Sequence, residues 1–83
     1  MFYVYILQTE YNDELYVGCT NNLQKRFQEH NSGKVKSTKA KLPYKLIHYE
    51  AFINKEDSFQ REQFLKTGWG KRFIKKNLKN YFL

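Results

Sequence analysis

The fold is decided by residues 2–19, which read FYVYILQTEYNDELYVGC. Phe2 to Gln8 and Leu15 to Cys19 are apolar or aromatic almost throughout, and the polar stretch Tyr11 to Glu14 separates them. Apolar, β-branched and aromatic runs favour strands, and a short polar connection between two such runs is typical of a β-hairpin. The sequence therefore predicts that the chain begins with two antiparallel strands.

After this hairpin, the sequence predicts a helix, a basic loop and a third strand. Asn21 or Asn22 can cap a helix of about nine residues, and Asn31-Ser32-Gly33 is an ordinary end for it. The basic, polar loop runs from Lys34 to Lys41, and a strand covering Lys45 to Phe52 resumes the apolar pattern.

Two more helices are predicted in the last third of the chain. Asn54 opens one that runs through Lys66 and stops at Gly68, and the other covers Lys71 to Tyr81. The element order is β-β-α-loop-β-α-α, which indicates one α+β domain over residues 1–83, built around a small sheet.

Composition indicates a polyanionic partner. Fifteen Lys and Arg against eight Asp and Glu give a net charge of +7, which favours nucleic acid, although simple solubility is the alternative reading. The lone Cys19 cannot form an internal disulfide, and no Cys/His cluster could hold structural zinc. No apolar run reaches the roughly 20 residues that span a bilayer. We expect a cytoplasmic protein that does not enter a membrane.

The first predicted helix carries polar groups on its apolar face. Leu23, Arg26, Phe27 and His30 share one arc of a helical wheel, so an arginine and a histidine lie where the helix should pack on the sheet. In one reading, Arg26 extends past the core and His30 caps the helix end. In the other, both side chains belong to a functional site.

Glu62 is a similar exception in the next helix. It lies three residues after Phe59 and three before Leu65, inside the apolar arc. A buried, unpaired carboxylate is costly, so Glu62 either pairs with a basic side chain or reaches into a cleft and binds a metal ion.

Three residues of the hairpin have open interpretations. Tyr5 and Tyr16 lie in two strands predicted to pair across the hairpin, where they can be aromatic core residues or cross-strand partners. Gly18 offers no packing surface, which in a strand usually marks a bulge or a close approach by another group.

Together, Val4-Tyr5-Ile6, Tyr16-Val17-Gly18, Arg26 with His30, and Glu62 resemble the GIY-YIG nuclease pattern in order and spacing. The resemblance covers nearly the whole chain and is closest to the short single-domain bacterial members. It implies a three-stranded antiparallel sheet flanked by helices, with both tyrosines, Arg26 and Glu62 converging on one cleft. The chain departs from the pattern at Val4, Val17 and Cys19, where members carry glycine, isoleucine and, in some cases, lysine.

The activity that the resemblance implies is metal-dependent endonuclease cleavage of DNA. Glu62 would hold one Mg²⁺ or Mn²⁺ ion, and Arg26 would contact the scissile phosphate through its fork of N–H donors. Tyr16 would take or relay the proton of the attacking water. A phenol is a weak base at neutral pH, so nearby cations would have to assist. Tyr5 and His30 would position that water or relay its proton.

The remaining predicted contacts bind nucleic acid without catalysing cleavage. Gly18 would leave room for the phosphate, and basic or hydroxyl side chains would follow the backbone. These side chains are Lys34, Lys36, Thr38, Lys39, Lys41, Lys71, Arg72, Lys75 and Lys76.

We expect a monomer acting on DNA rather than RNA, with single-stranded or branched DNA as the substrate. The main alternative is a non-catalytic nucleic-acid-binding module with the same fold. A protein-interaction domain is a third reading, but it leaves the net charge and Glu62 unexplained.

Overall fold

Three strands form one antiparallel sheet in the computed structural model, which describes residues 1–83. They are β1 (Phe2–Thr9), β2 (Leu15–Thr20) and β3 (Tyr44–Phe52), and their order in the sheet is β2-β1-β3. The predicted hairpin and third strand are confirmed. Because β3 pairs with the free side of β1, the first strand is the centre of the sheet and β2 is an edge.

The polar stretch between β1 and β2 forms the hairpin connection. The Thr9 amide donates to the Glu14 carbonyl at 3.0 Å, and Asp13 adopts a positive φ of 64°. Asp tolerates this left-handed conformation better than most residues because its short polar side chain can bond locally.

Three helices flank the sheet. They are α1 (Leu23–Asn31), α2 (Lys55–Leu65) and α3 (Gly68–Asn77), and a single 3₁₀ turn, Lys39–Lys41, lies in the basic loop. The predicted caps of the first two are confirmed, since Asn22 accepts from the Lys25 amide at 3.1 Å and Asn54 from the Glu56 amide at 2.8 Å. None of the helices combines the length and apolar character needed to cross a membrane.

The predicted limits of the last helix, Lys71 to Tyr81, are wrong at both ends. The helix begins at Gly68 because the Thr67 hydroxyl accepts from the Gly70 amide at 3.1 Å and caps the first turn. A Cβ on Gly70 would overlap the backbone of Leu65, so this glycine serves the close approach of α3 to α2. The helix ends early at Asn77, with Leu78 as its C-cap, and Tyr81 lies in the turns beyond.

Helices cover both faces of the sheet, and each face has its own core. On the face toward α2 and α3 the core is aliphatic, and its buried members are Val4, Ile6, Val17, Leu65 and Ile74. On the opposite face, Tyr5, Leu7 and Tyr44 form a second buried cluster against which Leu23 and Phe27 of α1 pack. Alternate residues of β1 supply the two cores, as the two-residue period of a strand requires.

Candidate active site

Tyr5 and Gly18 face each other across the hairpin. They are direct partners in the β1–β2 register, and Tyr5 is 1% exposed. A Cβ on Gly18 would overlap the Tyr5 hydroxyl and ring. The predicted reason for the glycine is therefore wrong, because the phenol of Tyr5 already fills the space that we assigned to a phosphate.

A buried hydrogen-bonded chain connects Tyr5 to α1 and to the basic loop. The Tyr5 hydroxyl lies 2.9 Å from His30 Nε2, and His30 Nδ1 lies 2.8 Å from Thr38 Oγ1. His30 and Thr38 are both completely buried. One prediction is corrected here, and one of the two readings left open for His30 is excluded. Thr38 is not a surface phosphate ligand, because its hydroxyl is bonded inside the core, and His30 does not cap α1, because both ring nitrogens have other partners.

Tyr16 completes an aromatic cluster around His30. The Tyr16 and His30 ring centroids are 5.0 Å apart in an edge-to-face arrangement, and the two tyrosine rings are 6.4 Å apart. Edge-to-face and offset pairs at these distances are mutually attractive. Tyr16 is only half-buried, so it is the tyrosine of the pair that retains contact with solvent.

Arg26 lies at the open side of this cluster. Its side chain is 38% exposed, and Nη1 contacts Glu29 Oε1 at 3.3 Å. Burial raises the pKa of Tyr5 to about 12, although a hydrogen-bonding interaction with Arg26 opposes the rise. At neutral pH, Tyr5 is therefore a protonated phenol beside a guanidinium.

The environment of His30 favours its neutral form. Burial, and then the positive charge of Arg26, lower the pKa of His30, and Glu29 opposes them. A neutral imidazole can accept at one nitrogen and donate at the other, which matches its position between two hydroxyl groups.

Glu62 approaches the cluster from α2. Its side chain is 13% exposed and pairs with Lys66, with Oε2 and Nζ 3.2 Å apart. The salt bridge that the sequence left open is therefore present. The charge of Glu62 also contributes to the raised pKa of Tyr5, so the carboxylate lies within electrostatic range of the phenol. The apolar arc predicted around Glu62 is wrong at Phe59, which is 53% exposed, and the buried residues of α2 are Ser58 and Leu65.

Cys19 of β2 lies between α2 and the cavity beside Arg26. Its thiol contacts the Ser58 hydroxyl of α2 at 3.4 Å, one helical turn before Glu62. Cys19 also lines a polar cavity of about 430 Å³ beside Arg26. The other walls of this cavity are Thr20, Asn21, Asn22, Lys25 and Glu29. The cavity is a polar space beside Arg26, in which the guanidinium could meet an anion.

The carboxylates and histidines do not form a multidentate metal site. No group of three or more His, Cys, Asp or Glu side chains comes together in the molecule. A single carboxylate, such as that of Glu62, suits only a hard cation that keeps most of its waters.

Comparison with known proteins identifies the family of this fold. A family model described as the GIY-YIG catalytic domain matches residues 1–79. The chain belongs to the GIY-YIG family. The predicted resemblance and fold, including the three-stranded antiparallel sheet, are confirmed.

The relatives are small bacterial proteins of the family. A UPF0213 protein of Clostridium perfringens is 45% identical over 67 residues, which cover 80% of this chain and 71% of that protein. A UPF0213 protein of Bacillus licheniformis is 39% identical over 80 residues, covering 95% and 76%. The solution structure of a UPF0213 protein from Bacillus halodurans matches with a TM-score of 0.59 and 30% identity, over 94% of this chain and 86% of that one.

The basic residues of this GIY-YIG chain are spread over several surfaces. Lys34, Lys36 and Lys39 are exposed on the loop, whereas Lys41 is half-buried and pairs with Glu14. On α3 all four predicted contacts are exposed and form no salt bridge; they are Lys71, Arg72, Lys75 and Lys76.

Two of these four α3 residues lie apart from the cavity beside Arg26. Lys71 and Lys75 line a different cavity, of about 800 Å³, beside the hairpin connection at Asp13 and Glu14. This cavity shares no residue with the one beside Arg26.

Sequence reasoning missed two polar residues that shape the site. Glu29 contacts Arg26, and the three-residue spacing on one helix could have indicated the pair. The Asn31 side chain accepts from the Tyr44 amide and donates to the Tyr44 carbonyl, both at 2.8 Å, and so ties the end of α1 to β3. No local pattern could have indicated that long-range contact.

Proposed function

We propose that this chain is an endonuclease that hydrolyses phosphodiester bonds in DNA, with single-stranded or branched DNA as the substrate and one Mg²⁺ or Mn²⁺ ion bound by Glu62. Membership of a family named for its catalytic domain supports the nuclease class. The observation that carries the proposal is the convergence of Tyr5, Tyr16, His30 and Arg26, with Glu62 within electrostatic range.

Arg26 would bind the scissile phosphate. Its guanidinium is partly exposed, lines the polar cavity and is oriented by Glu29. A guanidinium offers a planar fork of donors to phosphate oxygens, and its charge stabilises the negative charge that develops as water attacks phosphorus. Lysine would supply the charge without the fork.

Tyr5 would be a positioning residue, not the base. With a pKa of about 12, its hydroxyl keeps its proton at neutral pH. The Thr38 hydroxyl also lies 3.4 Å from the Val35 carbonyl, to which it can donate. His30 Nδ1–H can then donate to Thr38, and Nε2 can accept from Tyr5. This arrangement leaves the lone pairs of Tyr5 available to Arg26 and holds the guanidinium in place.

Tyr16 would contact the attacking water and relay its proton. It is the half-buried tyrosine of the pair, whereas Tyr5 and His30 are shielded from solvent. Because His30 is completely buried, its influence on the water would act through the tyrosines.

Glu62 would hold the metal ion with water and substrate oxygens as the other ligands. A hard divalent cation at this carboxylate would neutralise charge on the phosphate and make a bound water more acidic. Lys66 would have to leave the carboxylate, since the two groups are paired at 3.2 Å. With one protein ligand, metal affinity should be weak and should increase when DNA is bound.

The same ion pair favours the alternative, a nucleic-acid-binding module without catalysis. If Lys66 retains Glu62, the carboxylate is neutralised and only the basic surface acts. Cleavage distinguishes the two functions, because only a nuclease would cut DNA and lose that activity when the Glu62 charge is removed.

The test is cleavage of labelled single-stranded, branched and duplex DNA by wild type and Glu62→Gln, each with Mg²⁺, Mn²⁺ or EDTA. Glu56→Gln is the matched control, because Glu56 is an exposed carboxylate in the first turn of the same helix. We expect metal-dependent cleavage by wild type and by Glu56→Gln. Glu62→Gln should lose at least about a hundredfold in rate while still binding DNA.

Binding by all three proteins without cleavage by any of them would reject the nuclease in favour of the binding module. Cleavage that persists in Glu62→Gln, or in EDTA, would reject the metal ligand.

A further inference from the structure

Three exposed aromatic side chains form a row on the outside of α2 and α3. Phe64 and Phe73 are each 40% exposed, with ring centroids 6.3 Å apart, and Trp69 is 72% exposed. Trp69 and Phe73 are four residues apart on α3 and are therefore neighbours on its surface. A contiguous row of exposed apolar side chains, unlike scattered ones, often marks a binding site.

Two arginines lie against these rings. The Arg61 guanidinium is 4.7 Å from the Phe73 centroid and 5.5 Å from that of Phe64, and Arg72 lies 5.2 Å from Trp69. These five side chains, Phe64, Trp69, Phe73, Arg61 and Arg72, are called the aromatic–arginine surface below.

Arg61 also makes this surface rigid. Its Nε donates to Glu50 Oε1 at 2.8 Å and its Nη2 to Glu50 Oε2 at 3.1 Å. The guanidinium is thus fixed to the sheet through β3, and the two phenylalanines pack against a fixed plane. A ligand that stacks there would lose little affinity to ordering of the protein.

We propose that the aromatic–arginine surface binds unpaired bases of a single-stranded nucleic acid next to the place where the strand is cut. Aromatic rings and guanidinium planes stack on any base, because every base has a π-face. Arg72 and Lys76 on the same helix are exposed and form no salt bridge, so they supply positive charge for the connecting phosphates. This inference rests on the proposed nucleic-acid substrate and specifies its single-stranded part.

The surface lies close to the cleft but does not line it. Phe64 is two residues from Glu62, so their Cα atoms are at most about 7 Å apart. Residues two apart in a helix point to different sides, so the aromatic–arginine surface lies on a different side of α2 from the Glu62 carboxylate. At about 3.4 Å per stacked nucleotide, a strand leaving the cleft reaches the surface within a few nucleotides.

A second copy of the chain fits this surface poorly. The helix α3 has four lysines and arginines and no acidic residue. A symmetric dimer through this helix would bring like charges together, whereas a polyanion would neutralise them.

Trp69 makes the proposal directly measurable, because it is the chain's only tryptophan. The protein used is Glu62→Gln in EDTA, so that no substrate is cut. We expect quenching of Trp69 fluorescence by a short oligothymidylate, and little quenching by an abasic strand of the same length or by a blunt duplex.

Affinity for the labelled oligothymidylate, measured by anisotropy, supplies the matched comparison. Trp69→Ala should weaken binding about tenfold, and Trp69→Phe should keep most of the affinity because it keeps a ring. Tyr11→Ala is the control, since Tyr11 is equally exposed, at 72%, and lies on the hairpin connection.

Equal binding of abasic and normal strands, without quenching, would overturn the proposal. So would quenching by anionic vesicles in place of oligonucleotides, or self-association that Trp69→Ala abolishes. The result is independent of catalysis. If wild type binds and stacks but does not cut, the endonuclease proposal fails while the stacking surface stands.

Discussion

Both faces of the sheet are buried, but one core is aliphatic and the other contains hydrogen-bonded polar groups. On one face, Val4 and Ile6 of β1 meet Leu65 and Ile74 through aliphatic contacts alone. On the other, Tyr5 of the same strand belongs to a hydrogen-bonded chain that continues inward. A single strand thus supplies a core that can be repacked and a core whose polar groups must be aligned.

The difference lies in what each face tolerates. An aliphatic core loses free energy in proportion to the volume removed, but no orientation within it is special. In the polar core every buried side-chain nitrogen and oxygen has a partner, so removing one member leaves another unsatisfied. Stability should therefore depend most on the first face, and the geometry around Arg26 on the second.

The largest expected effect comes from the aliphatic face. Leu65 is completely buried between α2 and the sheet. Leu65→Ala should lower the free energy of unfolding by about 2–5 kcal/mol, because it removes apolar contacts and leaves a cavity. Urea denaturation measures the loss.

Cleavage per folded molecule of Leu65→Ala should remain close to that of wild type, when both proteins are assayed well below the temperature at which the variant unfolds. A domain of this size has only about 5–15 kcal/mol of stability in total, so low temperature is needed for that comparison. Loss of cleavage from fully folded Leu65→Ala would contradict the division of roles between the faces.

A smaller effect is expected where Tyr5 faces Gly18 across the hairpin. Gly18→Ala places a methyl group into the Tyr5 ring and should cost about 1–3 kcal/mol, as overpacking does. Gly68→Ala is the matched control, because a Cβ there meets nothing within 4 Å. Chemical denaturation of the two variants gives the comparison, and a Gly18→Ala protein as stable as Gly68→Ala would show that Tyr5 can move aside at no cost.

The sequence predicted what local chemistry determines. Runs of apolar and aromatic residues located the strands, and the caps Asn22 and Asn54 located the first two helices, because each signal acts over a few residues. The start of α3 was missed because Gly68 and Gly70 are typical of a helix end, whereas here Gly70 allows two helices to approach closely.

The site was predictable only in part. The family pattern singled out Tyr5, Tyr16, Arg26, His30 and Glu62, and the convergence of the two tyrosines, His30 and Arg26 is observed. Their catalytic roles stay predictions. The role of Thr38 was not predictable, since nothing local indicates that a hydroxyl in a basic loop is buried beside a histidine eight residues earlier. Such contacts depend on how the loop folds over α1.

The smallest expected effect is a pH dependence that only the polar face should produce. The pKa of His30 is lowered in the folded chain, chiefly by burial. In the unfolded chain His30 has its ordinary pKa of about 6.5 and binds a proton as the pH falls below that value, while the folded chain does not. The unfolded state then binds more protons, so the free energy of unfolding reaches its full value above about pH 6.5 and decreases below it, by at most about 1.4 kcal/mol per pH unit.

Urea denaturation between pH 5 and pH 7 measures this slope. His30→Gln should flatten the slope because glutamine does not titrate, whereas carboxylates contribute alike to both proteins. Parallel curves for wild type and His30→Gln would mean that the buried imidazole is not held neutral, and the Tyr5–His30–Thr38 arrangement would have to be redrawn.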